Sequence, residues 1–290
     1  MLDKLRRWRE SPAIFLLPTV ATLLAVTIYP TVYGIWLSFN KMSQGAVSTT
    51  KFVGLLNYIQ LFRQSDIRES LANTLIFVAG SVTLSILVGF FMALFLDRPF
   101  FGKSLYLGLF VLPIVATPVA AGMMFKLMLS TDFGVVNYVL SFVGLKDIAW
   151  LAKGSTAMLS IIFVDVWKWS PFVMYLMLAA LGSLPKEVDE AAVVDGANIW
   201  QLVWRIKLPQ LLPAFVAVLL VRVIDAFKAF DHILVMTQGG PGRATEVLNL
   251  SAYLIGFRYF DLAKAAALGL LVLILVTIVS QVITRVLRTE

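Results

Sequence analysis

Apolar residues fall in six runs along the 290-residue chain, over residues 13–39, 71–96, 104–129, 155–181, 211–236 and 263–287. Each run can cross a bilayer as a helix, because about 20 apolar residues at 1.5 Å rise match a hydrocarbon core of about 30 Å. The pattern predicts an all-α, polytopic integral membrane protein with six transmembrane helices in one domain over residues 1–290. Pro18 and Pro30 are expected to kink the first span, and Pro113 and Pro118 lie inside the third. Membrane helices tolerate such prolines when neighbours satisfy the freed backbone groups. Gly80 and Gly89 give the second span small residues for close helix contact, without a GxxxG pair. The first run follows Lys4, Arg6, Arg7 and Arg9. A signal peptide would also start this way, but the run is too long and ends in no small-residue cleavage site, so it reads as a retained span.

One polar segment is more than a connector. Residues 184–213 read LPKEVDEAAVVDGANIWQLVWRIKLPQLLP. Glu187, Asp189 and Glu190 follow Pro185, the composition of a first helical turn. Asp195-Gly196 ends that helix, because glycine accepts a positive φ without strain. Asn198 can cap a second helix, in which Ile199, Leu202, Val203 and Ile206 recur at helical spacing until Pro209. The expectation is helix, tight turn, helix. Such a hairpin either docks its exposed face on a partner or lies on the lipid surface, which Arg205 and Lys207 also suit. The pattern alone leaves both open.

Composition supports the membrane reading. The chain is 60% hydrophobic and 14% charged, with mean hydropathy +0.88, against roughly 25% charged residues in globular chains. The net charge of +7 is scattered around the spans and forms no dense aromatic-basic patch, which argues against nucleic acid and for basic cytosolic loops. With the amino terminus inside, segments 1–12, 97–103, 182–210 and 284–290 carry roughly twice the Lys and Arg density of segments 39–70, 130–154 and 237–262. That bias places both termini and the 184–210 loop in the cytosol. Without cysteine there is no disulfide, thiol nucleophile or thiolate metal site. His232, the one histidine, rules out a histidine-rich metal site and reads as a hydrogen-bonded loop residue near the outer interface rather than a pH switch. Asp132-Phe133-Gly134 matches a kinase tripeptide, but no other kinase element accompanies it. No GxxxxGK[ST] loop is present, so this chain cannot cradle nucleotide phosphates.

Two composite motifs carry a family resemblance. Glu190-Ala191-Ala192, Asp195-Gly196-Ala197 and Ile206-Lys207-Leu208-Pro209 resemble the EAA loop of permease subunits in binding-protein-dependent ABC importers. Phe230-Asp231-His232-Ile233, Thr237-Gln238-Gly239-Gly240-Pro241-Gly242 and Ala244-Thr245-Glu246 resemble a hallmark of the larger membrane subunit of maltose, glycerol-phosphate and oligosaccharide importers. Gln238 stands where that family often has glycine. Phe52-Val53-Gly54-Leu55 with Asn57-Tyr58 is similar to the family's external loop after the first span, so the resemblance covers nearly the whole chain.

The resemblance implies a type I ABC importer permease in a prokaryotic inner membrane, a transporter subunit rather than an enzyme, moving a sugar or related carbohydrate. It implies a second related permease subunit, two ATPase subunits that bind ATP and Mg, and an extracytoplasmic solute-binding protein, with no cofactor or metal on this chain. It assigns ATPase coupling to Glu187, Glu190, Ala191, Ala192, Asp195, Gly196, Ala197 and Pro209, and a binding-protein-facing turn to Gly239, Gly240, Pro241 and Thr245. On physical grounds alone, Gly239 to Gly242 must be a turn, since such a run sustains neither helix nor strand.

Charges inside the spans raise a separate question. Arg222, Asp225, Lys228 and Asp231 lie three apart in the fifth run. Facing lipid, each would cost about 2.5–3.5 kcal/mol at the bilayer centre, so they should face the protein interior or one another. Steps of about 300° turn the series by half a circle, so it cannot line one face. Asp165 and Lys168, flanked by Trp167 and Trp169, form a similar i,i+3 pair in the fourth run. Two readings stay open: a translocation path, or interhelical salt bridges that fix packing. On the first, Trp167, Trp169, Tyr175 and Phe227 are candidate sugar platforms beside Asp165, Lys168, Asp225 and Lys228. An ion-coupled secondary transporter is the alternative function, although it usually shows an internal repeat that is not visible here. A membrane scaffold would leave the charges in the spans unexplained.

Overall fold

The computed structural model describes residues 12–42, 50–145 and 147–288. The basic start at Lys4–Arg9 lies outside them. Four helices are long and apolar enough to cross a membrane, or up to six if each of two bent helix pairs is one span. The chain divides into two compact units, residues 1–64 with 252–271, and residues 65–251 with 272–290.

In the first unit, α1 runs from Pro12–Leu23 through a π segment, Leu24–Ile28, into Tyr29–Ser38. Pro18 sits within the helix, and the π turn directly precedes Tyr29-Pro30. A proline ring crowds the carbonyl four residues back and donates no N–H, and a widened turn relieves both defects. Strands β1 (Asn40–Met42) and β2 (Thr50–Phe52) form an antiparallel pair with Lys41 opposite Lys51, followed by α2 (Leu56–Arg63). The Asn57-Tyr58 pair ties these elements together. Asn57 Nδ2 donates to the carbonyls of Ser38 and Asn40 at 2.8 Å, and the Tyr58 hydroxyl to Ser38 Oγ at 2.6 Å.

The second unit is built around α3 (Ser65–Asp97), which begins six residues earlier than the hydrophobic pattern predicts, and α7 (Gly154–Gly182). Gly80 and Gly89 mark their contact. A Cβ on Gly89 would lie 2.6 Å from the Ser170 carbonyl oxygen and from Val173 Cβ, and one on Gly80 would lie 3.0 Å from Ile162 Cδ1. Only glycine permits the approach at position 89, whereas at position 80 a side chain would have to displace the end of Ile162. Phe90, Ala93 and Leu96 from α3 and Val173, Met174, Met177 and Leu181 from α7 form a buried cluster there.

The third and fifth spans are not the continuous helices expected. Residues 104–129 are two helices, α4 (Lys103–Val115) and α5 (Pro118–Met128), bent by 98°. Pro113 is absorbed inside α4, whereas Pro118 breaks the chain. The residue before a proline is forced out of the helical region, and Thr117 accordingly sits at ψ 145 and caps α5 through its side chain. After α6 (Val135–Ser141) and α7 come α8 (Lys186–Val194) and α9 (Ile199–Gln210). The fifth run divides into α10 (Leu212–Lys228), bent by 69° against α9, and α11 (Asp231–Met236), with extended Ala229 between them. The chain continues as α12 (Leu248–Tyr253) with a π segment, Leu254–Arg258, before α13 (Leu262–Arg288).

Candidate functional site

The hairpin α8–α9 forms as predicted, and its bonds show why. Glu187 and Asp189 occupy the first turn of α8. The helix closes in a Schellman motif: the Gly196 amide donates to the Val193 carbonyl at 3.0 Å and the Ala197 amide to Ala192 at 2.9 Å, with Gly196 at φ +81. The Asp195-Gly196-Ala197 sequence therefore makes the turn. Asn198 then forms a capping box with Gln201, a partner the sequence reading missed although Asn-x-x-Gln is its signature. Leu202–Lys207 is a π segment, again just ahead of a proline, Pro209. Leu202 and Val203 are buried, whereas α8 buries none of its described side chains, and Glu187, Glu190 and Ala191 are exposed.

A lysine clamps this hairpin. Lys207 Nζ lies 3.0 Å from Asp189 Oδ2 on α8 and 3.1 Å from Asp97 Oδ2 at the end of α3. The sequence marks Lys207 as part of a motif and as a cation suited to a lipid surface, not as a clamp. Asp97 is 110 residues away and carried no signal.

The glycine-rich turn closes on itself. Gln238 and Gly239 take consecutive positive φ values of 53° and 89°, and the Gly240–Pro241 peptide is cis. Thr245 is fully buried. Its amide donates to the Gly239 carbonyl at 3.1 Å, its hydroxyl donates to the Gly240 carbonyl at 2.8 Å, and Thr237 Oγ1 lies 2.7 Å from that hydroxyl. Arg243 pins the turn to α3 through Asp66 at 2.9 Å and holds buried Glu246 at 2.8 Å, while Asn73 Nδ2 donates to the Arg243 carbonyl at 2.8 Å. Gly239, Gly240, Pro241 and Thr245 are thus neighbours, with Thr245 as the internal brace.

The charges of the fifth run pair at i,i+3 spacing through Asp225, but those of the fourth run do not. Asp165 bonds Arg222, not Lys168: Arg222 Nη2 is 2.6 Å from Asp165 Oδ2, and both side chains are almost wholly buried. Ser81 donates to the same carboxylate, and Arg222 Nε reaches Ser85 Oγ at 3.1 Å. The partner from another helix wins here: Arg222 on α10 places Nη2 directly on the Asp165 carboxylate, while Lys168 points elsewhere. Its ammonium donates to the carbonyls of Ile114 and Ala116, at 3.2 and 2.7 Å, capping the broken end of α4. Asp225 bridges Arg222 at 3.7 Å and Lys228 at 3.2 Å. Trp169 lies beneath both cations, 5.0 Å from Arg222 and 5.3 Å from Lys168.

The other candidates have separate surroundings. Trp167 packs edge-on against Phe125 and lines an apolar groove of about 670 Å³. Tyr175 donates to the Leu107 carbonyl, and Phe227 is buried with its own carbonyl accepting from Asn249 Nδ2 at 2.8 Å. His232 is a correction. It is a buried helical residue of α11, 5.8 Å from Phe77 between ring centroids, and its Nε2 has no hydrogen-bond partner among the described residues. Gly122 lets it approach, since a Cβ there would lie 3.1 Å from His232 Cα.

Several apolar spans, charges neutralised between them and an exposed hairpin define a polytopic membrane protein. The chain belongs to the family of binding-protein-dependent transport system inner membrane components, which it matches over residues 85–289. It is 35% identical over 277 residues to an ABC transporter permease protein of Sinorhizobium fredii, covering 95% of this chain and 89% of that one. It is 31% identical to the trehalose/maltose transport system permease protein MalF of Thermococcus litoralis, covering 93% and 92%. In fold it superposes with TM-score 0.84 and 23% identity on a chain from the crystal structure of a bacterial ABC transporter that imports the acidic polysaccharide alginate, covering 99% of this chain and 97% of that one. The protein is therefore a permease subunit of an ABC importer and not an enzyme, and the secondary-transporter alternative falls away.

Proposed function

We propose that this permease moves a carbohydrate delivered by an extracytoplasmic binding protein, and that residues 184–210 couple it to two separate ATPase subunits. The chain acts as one permease domain of six spans, paired with a second related permease, with both termini in the cytosol of a prokaryotic cell. ATP and Mg belong to the ATPases, and this chain binds no cofactor. Relatives named for trehalose/maltose, sulfoquinovosyl glycerol and arabinooligosaccharide transport support the cargo class. The density of Lys and Arg supports the orientation.

The observation that carries the coupling reading is the exposed α8. A helix that buries none of its described side chains, held at a fixed angle by the Gly196 turn and the Asn198 cap, supports a docking role for Glu187, Glu190, Ala191, Ala192, Asp195 and Ala197, with Pro209 at the base of the hairpin. Gly239, Gly240, Pro241 and Thr245 form the turn toward the binding protein. Asp165, Lys168, Trp169, Asp225 and Lys228 line or gate the path, and Trp167, Tyr175 and Phe227 shape its surroundings.

The test is recovery of the tagged chain from its native membrane. A P-loop ATPase and a second multi-span protein should come with it, and one sugar with its binding protein should raise ATP hydrolysis. Gly196 has open space around it but a φ of +81, so Gly196→Arg should strain the hairpin turn locally, leave insertion of the apolar spans intact and abolish uptake while hydrolysis continues. Unchanged uptake in that variant would count against the loop.

A further inference from the structure

We infer that Lys207 is the positioning residue that transmits movement of the docking helix α8 to the transmembrane helix α3; this rests on the coupling role proposed for the loop. Helix α8 must move the spans through something stiffer than its two chain ends. It buries none of its described side chains, and among the described residues its one ionic or hydrogen-bonded side-chain tie to another element is Asp189 to Lys207 at 3.0 Å. The same ammonium holds Asp97, the last residue of α3, at 3.1 Å.

The surroundings favour a tight joint over a solvated surface pair. The Lys207 side chain is 12% exposed, and the two carboxylates are 29% and 27% exposed. The residues that precede it on α9, Leu202 and Val203, are buried, and Val203 belongs to the same cluster as Ala93 and Leu96 of α3. Lysine donates up to three hydrogen bonds from one point charge, so a single side chain can hold carboxylates from two helices at once. The π segment Leu202–Lys207 ends at this lysine just ahead of Pro209, whose ring and missing N–H a widened turn accommodates. Displacing α8 therefore pulls on the end of α3, while Asp97 alone would leave the two helices connected only through loops.

The experiment compares sugar transported per ATP hydrolysed in the reconstituted complex, purified through a tag on this chain. Lys207→Met and Asp97→Asn should each lower that ratio at least about fivefold, the low end of measured allosteric couplings. The Lys207→Met/Asp97→Asn double variant should be no worse than Lys207→Met, because one joint is being removed. Lys207→Arg, which keeps the cation and its reach, should retain most of the ratio. A merely structural lysine would instead reduce the amount of complex recovered while leaving the ratio of the surviving complex unchanged, and that result overturns the inference. Asp97→Asn changes one atom and decides the matter if Lys207→Met fails to assemble. If Gly196→Arg uncouples but the Lys207 and Asp97 variants keep the normal ratio, only this inference fails. If Gly196→Arg transports normally, the coupling loop itself fails.

Discussion

Arg222 and Asp165 show what a single buried charge demands. Each is almost wholly shielded, two serines add hydrogen bonds to the pair, and Arg222 Nη1 has no hydrogen-bond partner among the described residues, lying 3.7 Å from Asp225. Removing one member of such a pair leaves the other charge uncompensated, which costs about 3–5 kcal/mol. Asp165→Ala should therefore lower the melting temperature of the detergent-purified protein sharply, and Asp165→Ala/Arg222→Met should recover part of the loss. Equal melting temperatures for the single variant and the wild type would mean that the pair is solvated in the native membrane state. Gln238 illustrates the opposite case, a residue under local strain. It holds φ 53° next to Gly239 at 89°, and the left-handed region costs a side chain about 1–2 kcal/mol. The family's frequent glycine at this place has a physical reason. Gln238→Gly should be neutral to stabilising by about 1 kcal/mol, since glycine gives back some of the gain as unfolded-chain entropy; a clear loss of thermal stability would contradict the strain.

At the level of elements, the six apolar runs, the hairpin with its turn at Gly196, the Asn198 cap and the Gly80 and Gly89 contacts were all legible, because each depends on residues close in sequence or on composition. The break at Ala229, where no proline stands, was not, and neither was the one at Thr117, which precedes Pro118. Proline inside an apolar run reads only as a kink, and whether it bends a helix or breaks it depends on what receives the freed carbonyls. Here Lys168 receives those of Ile114 and Ala116 from another span, a contact that no local pattern announces. For the same reason the i,i+3 rule misassigned Asp165 to Lys168: the spacing allowed the pair, but two better partners lay on neighbouring helices. Lys168→Met should leave those two carbonyls without a charged donor at a cost of about 1–3 kcal/mol, read as a lower melting temperature. A variant as stable as the wild type would show that the α4 end satisfies itself.

Across the second unit, one helix meets every feature that matters. Over its 33 residues, about 50 Å of rise, α3 anchors the glycine-rich turn through Asp66 and Asn73, faces the buried charges with Ser81 and Ser85, packs on α7 at Gly89 and ends at Asp97 against Lys207. No motif marks α3 in the sequence, because its contributions are small polar residues and glycines whose partners lie up to 181 residues away. Asp97 has a consequence for anyone treating the hairpin as an exchangeable cassette. A graft of residues 184–210 into another permease carries Asp189 and Lys207 along but leaves position 97 behind, so transplanted specificity for an ATPase should survive only in recipients that already place a carboxylate at that helix end.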